Sequence, residues 1–215
     1  MIDLPYATAD LPGSGGTLRA APEDFRVDEV PAYLPSGAGP HLYLRVEKRG
    51  RTTRDVLREL AGRLGVPERD AGYAGLKDRA AVTTQWLSFP VARDPEAASL
   101  EGEGLRVLEV SRHANKLRTG HVRGNRFALV VRGGDLPRAS ACAAALAERG
   151  LPNFFGPQRF GADGRNAEVG KAILRGERTP EAGRAARDRF LRRLSISAWQ
   201  SWAFNIWLAE RIADG

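Results

Sequence analysis

The chain has 215 residues, of which 42% are hydrophobic, and its 33 lysines and arginines exceed its 26 acidic residues to give a net charge of +7. This length and composition suit one large or two small folded domains, and the surplus of positive charge suits a polyanionic partner. A single cysteine excludes a disulfide framework and a cysteine-based metal site, and the three histidines (His41, His113 and His121) lack a metal-ligand spacing, so we expect no metal. No run of about 18 apolar residues is present, so we expect no membrane span and a reduced, cytoplasmic setting.

The first half of the chain alternates between strand and helix patterns. Residues 25–30 and 42–46 alternate apolar with polar side chains, which is typical of half-buried strands. Residues 52–65 begin with a Thr-x-x-Asp capping box and end at a glycine, so they predict a helix. Further strands are predicted over 82–89 and 105–110. Strands with interspersed helices indicate an α+β fold.

The second half begins with a strand pattern at 127–131, followed by an alanine-rich helix that opens at Asp135 and ends at Gly150. Cys142 lies in this helix and is expected to be a small buried side chain. The chain beyond it is predicted to be helical. Apolar groups cover most of the circumference of the last helix, around 196–208, which predicts burial on several sides. Little chain follows to supply that burial, so we expect a fragment or a protein that needs a partner surface.

Two features of the sequence favour binding to nucleic acid. Residues 112–126 contain five lysines and arginines and no acidic residue, and such cations can neutralise phosphates. The alternative is a solvated basic loop. Aromatic residues also adjoin cations and glycines, with Phe127 after Arg126 and with Phe155 and Phe160 close to Arg159. Such rings can stack on an unpaired base, although a phenylalanine in a strand more often belongs to the core.

Residues 73–79 place one carboxylate, that of Asp78, between Lys77 and Arg79, after a glycine turn and before an extended segment. Neighbouring positive charge favours the ionised form of a carboxyl group. An ionised carboxylate at the start of a strand can act as a nucleophile or as a base. The alternative is an ordinary solvated turn.

Four segments together resemble the TruD family of tRNA pseudouridine synthases. In chain order they are residues 21–25 (APEDF), 73–86 (YAGLKDRAAVTTQW), 113–127 (HANKLRTGHVRGNRF) and 151–161 (LPNFFGPQRFG). The resemblance extends over essentially the whole chain. It implies an α+β pseudouridine-synthase catalytic sheet with flanking helices, followed by the start of a helical insertion.

The resemblance also implies an isomerase that breaks the N-glycosidic bond of a uridine, usually at position 13 of tRNA, and rejoins the base through carbon 5 without a cofactor or a metal. Asp78 matches the catalytic aspartate, which attacks the nucleoside or abstracts a ribose proton. Phe25 matches a pocket phenylalanine, Asn125 a substrate-contacting asparagine, and Phe127 the aromatic residue that stacks on the uracil. Arg19 lies where the family often has a lysine, and the two cations differ in geometry.

The partner implied is tRNA, and its phosphates would meet the basic residues near these motifs. The cations that we predict to contact the RNA backbone are Lys77, Arg79, Lys116, Arg118, Arg123, Arg126 and Arg159.

The resemblance predicts two domains. Residues 1–150 would be the N-terminal part of the catalytic domain, and residues 151–215 the beginning of the insertion (TRUD) domain. Members of the family are longer, and their later catalytic segment, which carries another pocket phenylalanine, has no counterpart here. Two functions therefore stay open: a tRNA pseudouridine synthase, or a truncated and catalytically silent RNA-binding fragment. A nucleotide-dependent enzyme is disfavoured because no complete phosphate-binding loop is present.

Overall fold

The structure is a computed structural model that describes residues 4–161 and 163–214. The chain divides into two compact units, one formed by Gly15–Gly134 and the other by Met1–Ser14 together with Asp135–Gly215. The predicted boundary near residue 150 concerns a different division, into catalytic and insertion domains, and stays a prediction. No helix in the described part of the chain is long and apolar enough to cross a membrane.

The unit Gly15–Gly134 is built on a mixed sheet. Among the described residues, the strands are β1 (Thr17–Leu18), β2 (Phe25–Pro31), β3 (His41–Arg49), β4 (Gly72–Tyr73), β5 (Val82–Phe89), β6 (Leu105–His113), β7 (Val122–Leu129) and β8 (Val131–Arg132). The main sheet has the order β6-β3-β5-β2-β7, with β4 also paired to β5, and β1 pairs with β8 separately. Strands β2 and β5 run parallel, whereas the other pairs are antiparallel.

The hydrophobic core lies between this sheet and helix α1 (Thr53–Arg63). Leu42, Leu44 and Val46 of β3 alternate onto the face that meets α1, as the sequence pattern predicts, and each is fully buried. Every residue of β5 is buried because the strand is covered by neighbours on both edges and both faces. The predicted capping box is confirmed, since the Thr52 hydroxyl accepts from the amide of Asp55.

The strand predicted over 127–131 differs from the observed one. Strand β7 begins at Val122 and ends at Leu129. The amide of Val130 still donates to the carbonyl of Asp24 at 2.8 Å, but the amide of Asp24 donates to the carbonyl of Ala21 at 3.0 Å, so this pair does not extend the strand. Strand β6 likewise continues to His113. The basic segment 112–126 is therefore two strand ends joined by a turn at 114–121 rather than one long loop.

The other unit is helical, with α2 (Leu136–Arg149), α3 (Asn166–Arg175), α4 (Pro180–Arg187) and α5 (Arg189–Ala213) among the described residues. Helix α2 begins after Asp135, whose side chain accepts from the amide of Arg138, so the predicted helix is confirmed. The prediction of a buried Cys142 is wrong, because its thiol is only partly covered and lies 3.7 Å from the carbonyl of Pro12.

The prediction for the last helix is also wrong within the described residues. The buried positions of α5 are small or polar (Ser195, Ala198, Ser201 and Asn205), while Phe190 and Trp207 are more than half exposed. Helix α3 packs on this side, and a Cβ at its Gly170 would lie 2.0 Å from the carbonyl oxygen of Ser195. Close approach of two helix backbones requires small side chains, so the bulky ones are left on the other sides.

Candidate active site

The turn that carries Asp78 connects β4 to β5, and β5 has different neighbours along one of its edges. Strand β2 pairs with residues 82–84 of β5, whereas β4 pairs with residues 87–88 on the same edge. Between these segments Trp86 is paired with neither β2 nor β4, and its amide donates to the carboxylate of Glu29 at 3.1 Å. A side chain thus supplies the missing bond of the ladder.

The same carboxylate binds the residue before Asp78. The ammonium of Lys77 lies 2.7 Å from the second oxygen of Glu29, and both side chains are at least 95% buried. This placement corrects the prediction that Lys77 contacts the RNA backbone, because a buried ammonium paired with a carboxylate does not reach a surface phosphate. Its role is to attach the turn to β2.

Two uncharged side chains hold the turn from its other side. The hydroxyl of Thr53, at the start of α1, accepts from the amide of Lys77 at 2.9 Å and donates to the side chain of Gln85 at 2.8 Å. The amide group of Gln85 in turn donates to the carbonyl of Gly75 at 3.3 Å. The main chain on the N-terminal side of Asp78 is therefore bound at two points.

Lys48 holds the turn at Asp78 itself. This residue is fully buried at the end of β3, and its ammonium donates to the carbonyl oxygens of Asp78 at 2.6 Å and Arg51 at 2.8 Å. Burial lowers the pKa of Lys48 to about 8, while the Asp78 carboxylate opposes this shift, Lys77 adds to it and Asp55 again opposes it.

The side chain of Asp78 is exposed, as a group that meets a substrate must be. The cations that flank it in the sequence are directed elsewhere, since Lys77 binds Glu29 and Arg79 donates to the carbonyl of Gly50 at 3.3 Å. The cation bonded to the Asp78 residue is Lys48, which is 30 positions away in the chain.

Phe25 packs against both Phe127 and Arg19. The rings of Phe25 and Phe127 are 6.1 Å apart with an interplanar angle of 17°, and the Arg19 guanidinium lies 4.1 Å from the Phe25 ring centroid. Phe25 is 5% exposed, whereas Phe127 is 55% exposed and has surface available for a further ring. Arg19 has a φ of +56°, a left-handed conformation that is unfavourable for a residue other than glycine.

Strand register places these residues on the face that bears the Asp78 turn. Phe127 is opposite Val27 and Asn125 is opposite Glu29 across β7 and β2. Because directly paired residues project from the same face of a sheet, Asn125 and Phe127 share the face of Glu29, which binds Lys77. The structure therefore brings Asp78, Phe25, Asn125 and Phe127 to one face of the sheet.

The remaining basic candidates differ in their availability. Arg118, Arg123 and Arg126 are exposed, and Arg126 is paired with Asp28, which places it on the opposite face from Phe127. Lys116 donates to the carbonyl of Arg69 at 2.8 Å. Contact of these residues with RNA stays a prediction.

Arg159 belongs to the helical unit. Its guanidinium donates to Ser201 of α5 at 3.0 Å and to Ser197, and it lies 5.7 Å from the Phe155 ring centroid. The side chain is therefore bound within its own unit, and a contact with RNA stays a prediction.

His121 and Tyr43 anchor the turn of the segment 113–127. The imidazole of His121 is 2.7 Å from the hydroxyl of Tyr33, and the Tyr43 hydroxyl donates to the carbonyl of Asn115 at 2.9 Å. Burial raises the pKa of Tyr43 well above its ordinary value. The exposed Arg118 is thus carried on an anchored turn.

Sequence reasoning missed Glu29 and Lys48. A signal for both is present in the strand patterns: Glu29 continues the buried alternation of Phe25 and Val27, and Lys48 continues that of Leu42, Leu44 and Val46. A charge at a position that the pattern assigns to the core needs a buried partner. No group of three potential metal ligands is placed to hold an ion within residues 4–161 and 163–214.

Comparison with known proteins shows the family of the chain. The family model for tRNA pseudouridine synthase D (TruD) matches residues 1–184. The chain belongs to the TruD family. The similar proteins named tRNA pseudouridine synthase D include one from Anaeromyxobacter dehalogenans (strain 2CP-C), 82% identical over 215 residues, and one from Thermus thermophilus, 48% identical over 214 residues.

The alignments cover nearly all of this chain but only part of these TruD proteins. They include 100% of the chain and 62% of the Anaeromyxobacter protein, and 98% of the chain and 58% of the Thermus protein. A crystal structure of a tRNA pseudouridine synthase D (TruD) candidate from Methanosarcina mazei has a TM-score of 0.66 at 33% identity, covering 80% of this chain and 41% of that one. The predicted family and the α+β fold are confirmed.

Proposed function

We propose that this chain forms part of a tRNA pseudouridine synthase in which Asp78 is the catalytic carboxylate. The observation that carries the proposal is the fixed turn that presents an exposed Asp78 on the sheet face of the Phe25–Phe127 pair. The relatives named tRNA pseudouridine synthase D support the same reaction.

The residues suit a nucleoside that has left its stack. Extruding a base from a folded RNA costs a few kcal/mol, and stacking on an aromatic ring returns about 1–3 kcal/mol. The exposed ring of Phe127 provides that surface, and Asn125 on the same face can hydrogen-bond the base edge. Phe25 stacks against Phe127 from within the core, and the Arg19 guanidinium packs on the Phe25 ring.

Asp78 then acts on the extruded uridine by one of two routes. Its carboxylate attacks the nucleoside to form a covalent intermediate, or it removes a ribose proton; in both, the N-glycosidic bond breaks and a bond to carbon 5 of the same uracil forms. The proton on carbon 5 is released and N1 of the uracil, freed from the ribose, gains one. A proton taken from the ribose is returned to it, and the Asp78 carboxylate is regenerated. Reactant and product are isomers, so the route requires no oxidant, reductant or cofactor.

The partner we propose is tRNA, with position 13 as the target and the cytoplasm as the location. Arg118 and Arg123 are exposed on and beside the anchored turn 114–121, where they can contact phosphates. We also propose that residues 1–150 form the N-terminal part of the catalytic domain and that residues 151–215 begin the helical insertion domain.

A chimaera tests this function. Residues 1–215 replace the segment that they match in the Anaeromyxobacter dehalogenans relative, and the product is incubated with unmodified tRNA and assayed for pseudouridine. We expect the chimaera to form pseudouridine and its Asp78→Asn variant to bind tRNA without forming it. The carboxamide retains the size of the side chain but cannot act as nucleophile or base. Full activity of the Asp78→Asn variant would contradict the proposal.

The same experiment decides between an enzyme and a silent RNA-binding fragment. The 215-residue chain is assayed alone beside the chimaera. If the chimaera forms pseudouridine while the chain alone binds tRNA without converting it, the chain is a silent RNA-binding fragment. Conversion by the chain alone would show that residues 1–215 suffice.

A further inference from the structure

We propose that Lys48 is a positioning residue for the Asp78 carboxylate, because its buried ammonium fixes the main chain of the turn through the Asp78 carbonyl. This inference rests on the proposed function, since it assigns to Lys48 the task of holding the catalytic group. Lys48 does not touch the substrate in this proposal.

The first argument is the cost of placing a lysine there. Lys48 is fully buried at the end of β3, where its strand neighbours are Thr83 of β5 and Leu105 of β6, and neither can neutralise a charge. An ammonium taken out of water is costly unless it is hydrogen-bonded. The bonds that it makes are to the carbonyls of Arg51 and Asp78, so the compensation for burial is directed at the turn.

The second argument is the geometry of the turn. Thr53, Gln85 and the Lys77–Glu29 pair bind residues 75–77, on the N-terminal side of Asp78. The Lys48 bond is at Asp78 itself and is the shortest of the side-chain bonds to this main chain, at 2.6 Å. On the C-terminal side of Asp78, the side-chain bond nearest to it is the longer one of Arg79 to the Gly50 carbonyl, at 3.3 Å.

The third argument is the charge around the ammonium. Asp78 and Asp55 face Lys48 with negative charge and Lys77 faces it with positive charge, while the guanidinium of Arg51 is paired with Glu59. The pKa of Lys48 is about 8, so its charge is lost in a range accessible to assays. A neutral amine can still donate two hydrogen bonds, but without the charge each is weaker.

A Lys48→Met variant of the chimaera tests the role, because methionine keeps an unbranched stem and removes only the ammonium. A misplacement of about 1 Å can lower a rate by about 100-fold, so we expect kcat to fall by about ten- to hundredfold with KM for tRNA unchanged. In the parent chimaera we expect kcat to decline as pH rises through about 8, and this decline to be absent from Lys48→Met.

A matched control separates positioning from lost stability. Leu60 of α1 is fully buried in a core cluster that contains no residue of the turn 74–81, and Leu60→Ala should cost about 2–5 kcal/mol of stability. We expect it to lower the melting temperature but to leave kcat unchanged at a temperature where both variants are folded. An equal loss of kcat in Leu60→Ala, or an unchanged kcat and pH profile in Lys48→Met, would overturn the proposal.

A second measurement is available if Lys48→Met does not fold. The Lys48 side chain is followed by NMR through its own titration, and the kcat of the parent chimaera is measured over the same pH range. We expect the two midpoints to coincide and the Lys48 pKa to fall further in Asp78→Asn, which removes the opposing carboxylate. A kcat that is constant while Lys48 titrates would overturn the proposal. Failure of the proposed function itself gives a different result, an Asp78→Asn variant that is still active.

Discussion

The ring of Phe127 lies nearly parallel to that of Phe25 at 6.1 Å, with the buried ring behind and the exposed ring in front. The two phenylalanines therefore differ in what they contribute. Phe25 is part of a small core cluster with Val27 and Ala81, whereas the outer face of Phe127 is available for a base.

The first prediction separates these two roles. Phe127→Ala should leave the free energy of unfolding little changed and weaken tRNA binding or turnover by about 1–3 kcal/mol, the value of one base stack. Phe25→Ala should lower the free energy of unfolding by about 3–5 kcal/mol because it empties a buried site. Urea unfolding and tRNA titrations on both variants measure the two effects. Equal destabilisation by both substitutions would show that Phe127 is only a core residue.

The second prediction concerns salt. Each phosphate contact should contribute about 0.7–0.9 to the slope of log binding constant against log salt concentration. Arg118→Ala and Arg123→Ala should each reduce the slope for tRNA by about that amount. Arg54→Ala is the matched control, because Arg54 is exposed on α1 outside the basic segment. If neither Arg118→Ala nor Arg123→Ala alters the slope, the basic segment is not part of the RNA interface.

The third prediction tests the buried ion pair. Lys77→Met should lower the free energy of unfolding by about 3–5 kcal/mol, because it leaves the Glu29 carboxylate buried without its counter-charge. The double variant Lys77→Met/Glu29→Gln should recover part of this loss, since glutamine carries no charge and can still accept from the amide of Trp86. Denaturant unfolding of the two single variants and the double variant measures the coupling. Strictly additive losses would mean that the two side chains do not interact.

The fourth prediction is a pH dependence of stability. The Arg132 guanidinium donates two hydrogen bonds to the buried Asp24 carboxylate, at 2.7 and 2.8 Å, and holds the pKa of Asp24 below its ordinary value of 3.8. Because the pKa of Asp24 is lower in the folded state, this stabilisation is fully present at a pH above the unfolded-state pKa. It is lost as the pH falls through the folded-state pKa.

The variant Asp24→Asn should therefore be less stable than the parent near neutral pH, and the difference should shrink below pH 3.8. Urea unfolding in the two ranges measures it. Glu103→Gln, at an exposed position on the same unit, is the control and should change little at either pH. A difference that grows on acidification would contradict the assigned direction.

The fifth prediction concerns the backbone of Arg19, which has a φ of +56°. Arg19→Gly and Arg19→Ala both remove the guanidinium from the Phe25 ring, but only glycine adopts this conformation without a steric penalty. We expect the glycine variant to be more stable than the alanine variant by about 1 kcal/mol, measured by denaturant unfolding. An alanine variant that is the more stable of the two would show that this φ imposes no strain.

Several features could be predicted from the sequence because they depend on neighbours in the chain. The Thr52 cap, helix α1 and the alternating strand β3 are set by residues within a few positions of one another. The four motifs also sufficed to identify the TruD family, which the family match over residues 1–184 confirms.

The burial of Lys77 could not be predicted in the same way. Lys77 and Arg79 flank Asp78 alike in the sequence, yet Lys77 is buried against Glu29 and Arg79 is exposed. The difference arises from the pairing of β2 with β5, which brings Glu29 next to the turn from 48 positions away. Local charge patterns carry no information about such a partner.

The sequence alone determined the family and the order of the main strands and helices along the chain, and it predicted Asp78 as the catalytic carboxylate. The tertiary structure decided how that carboxylate is held, because Lys48 and Glu29 reach the turn only when distant strands pair in one register. It also decided which side of α5 is buried, because close packing against α3 requires the side with small residues. Hydrophobicity alone does not distinguish the sides of this helix, since most of them are apolar.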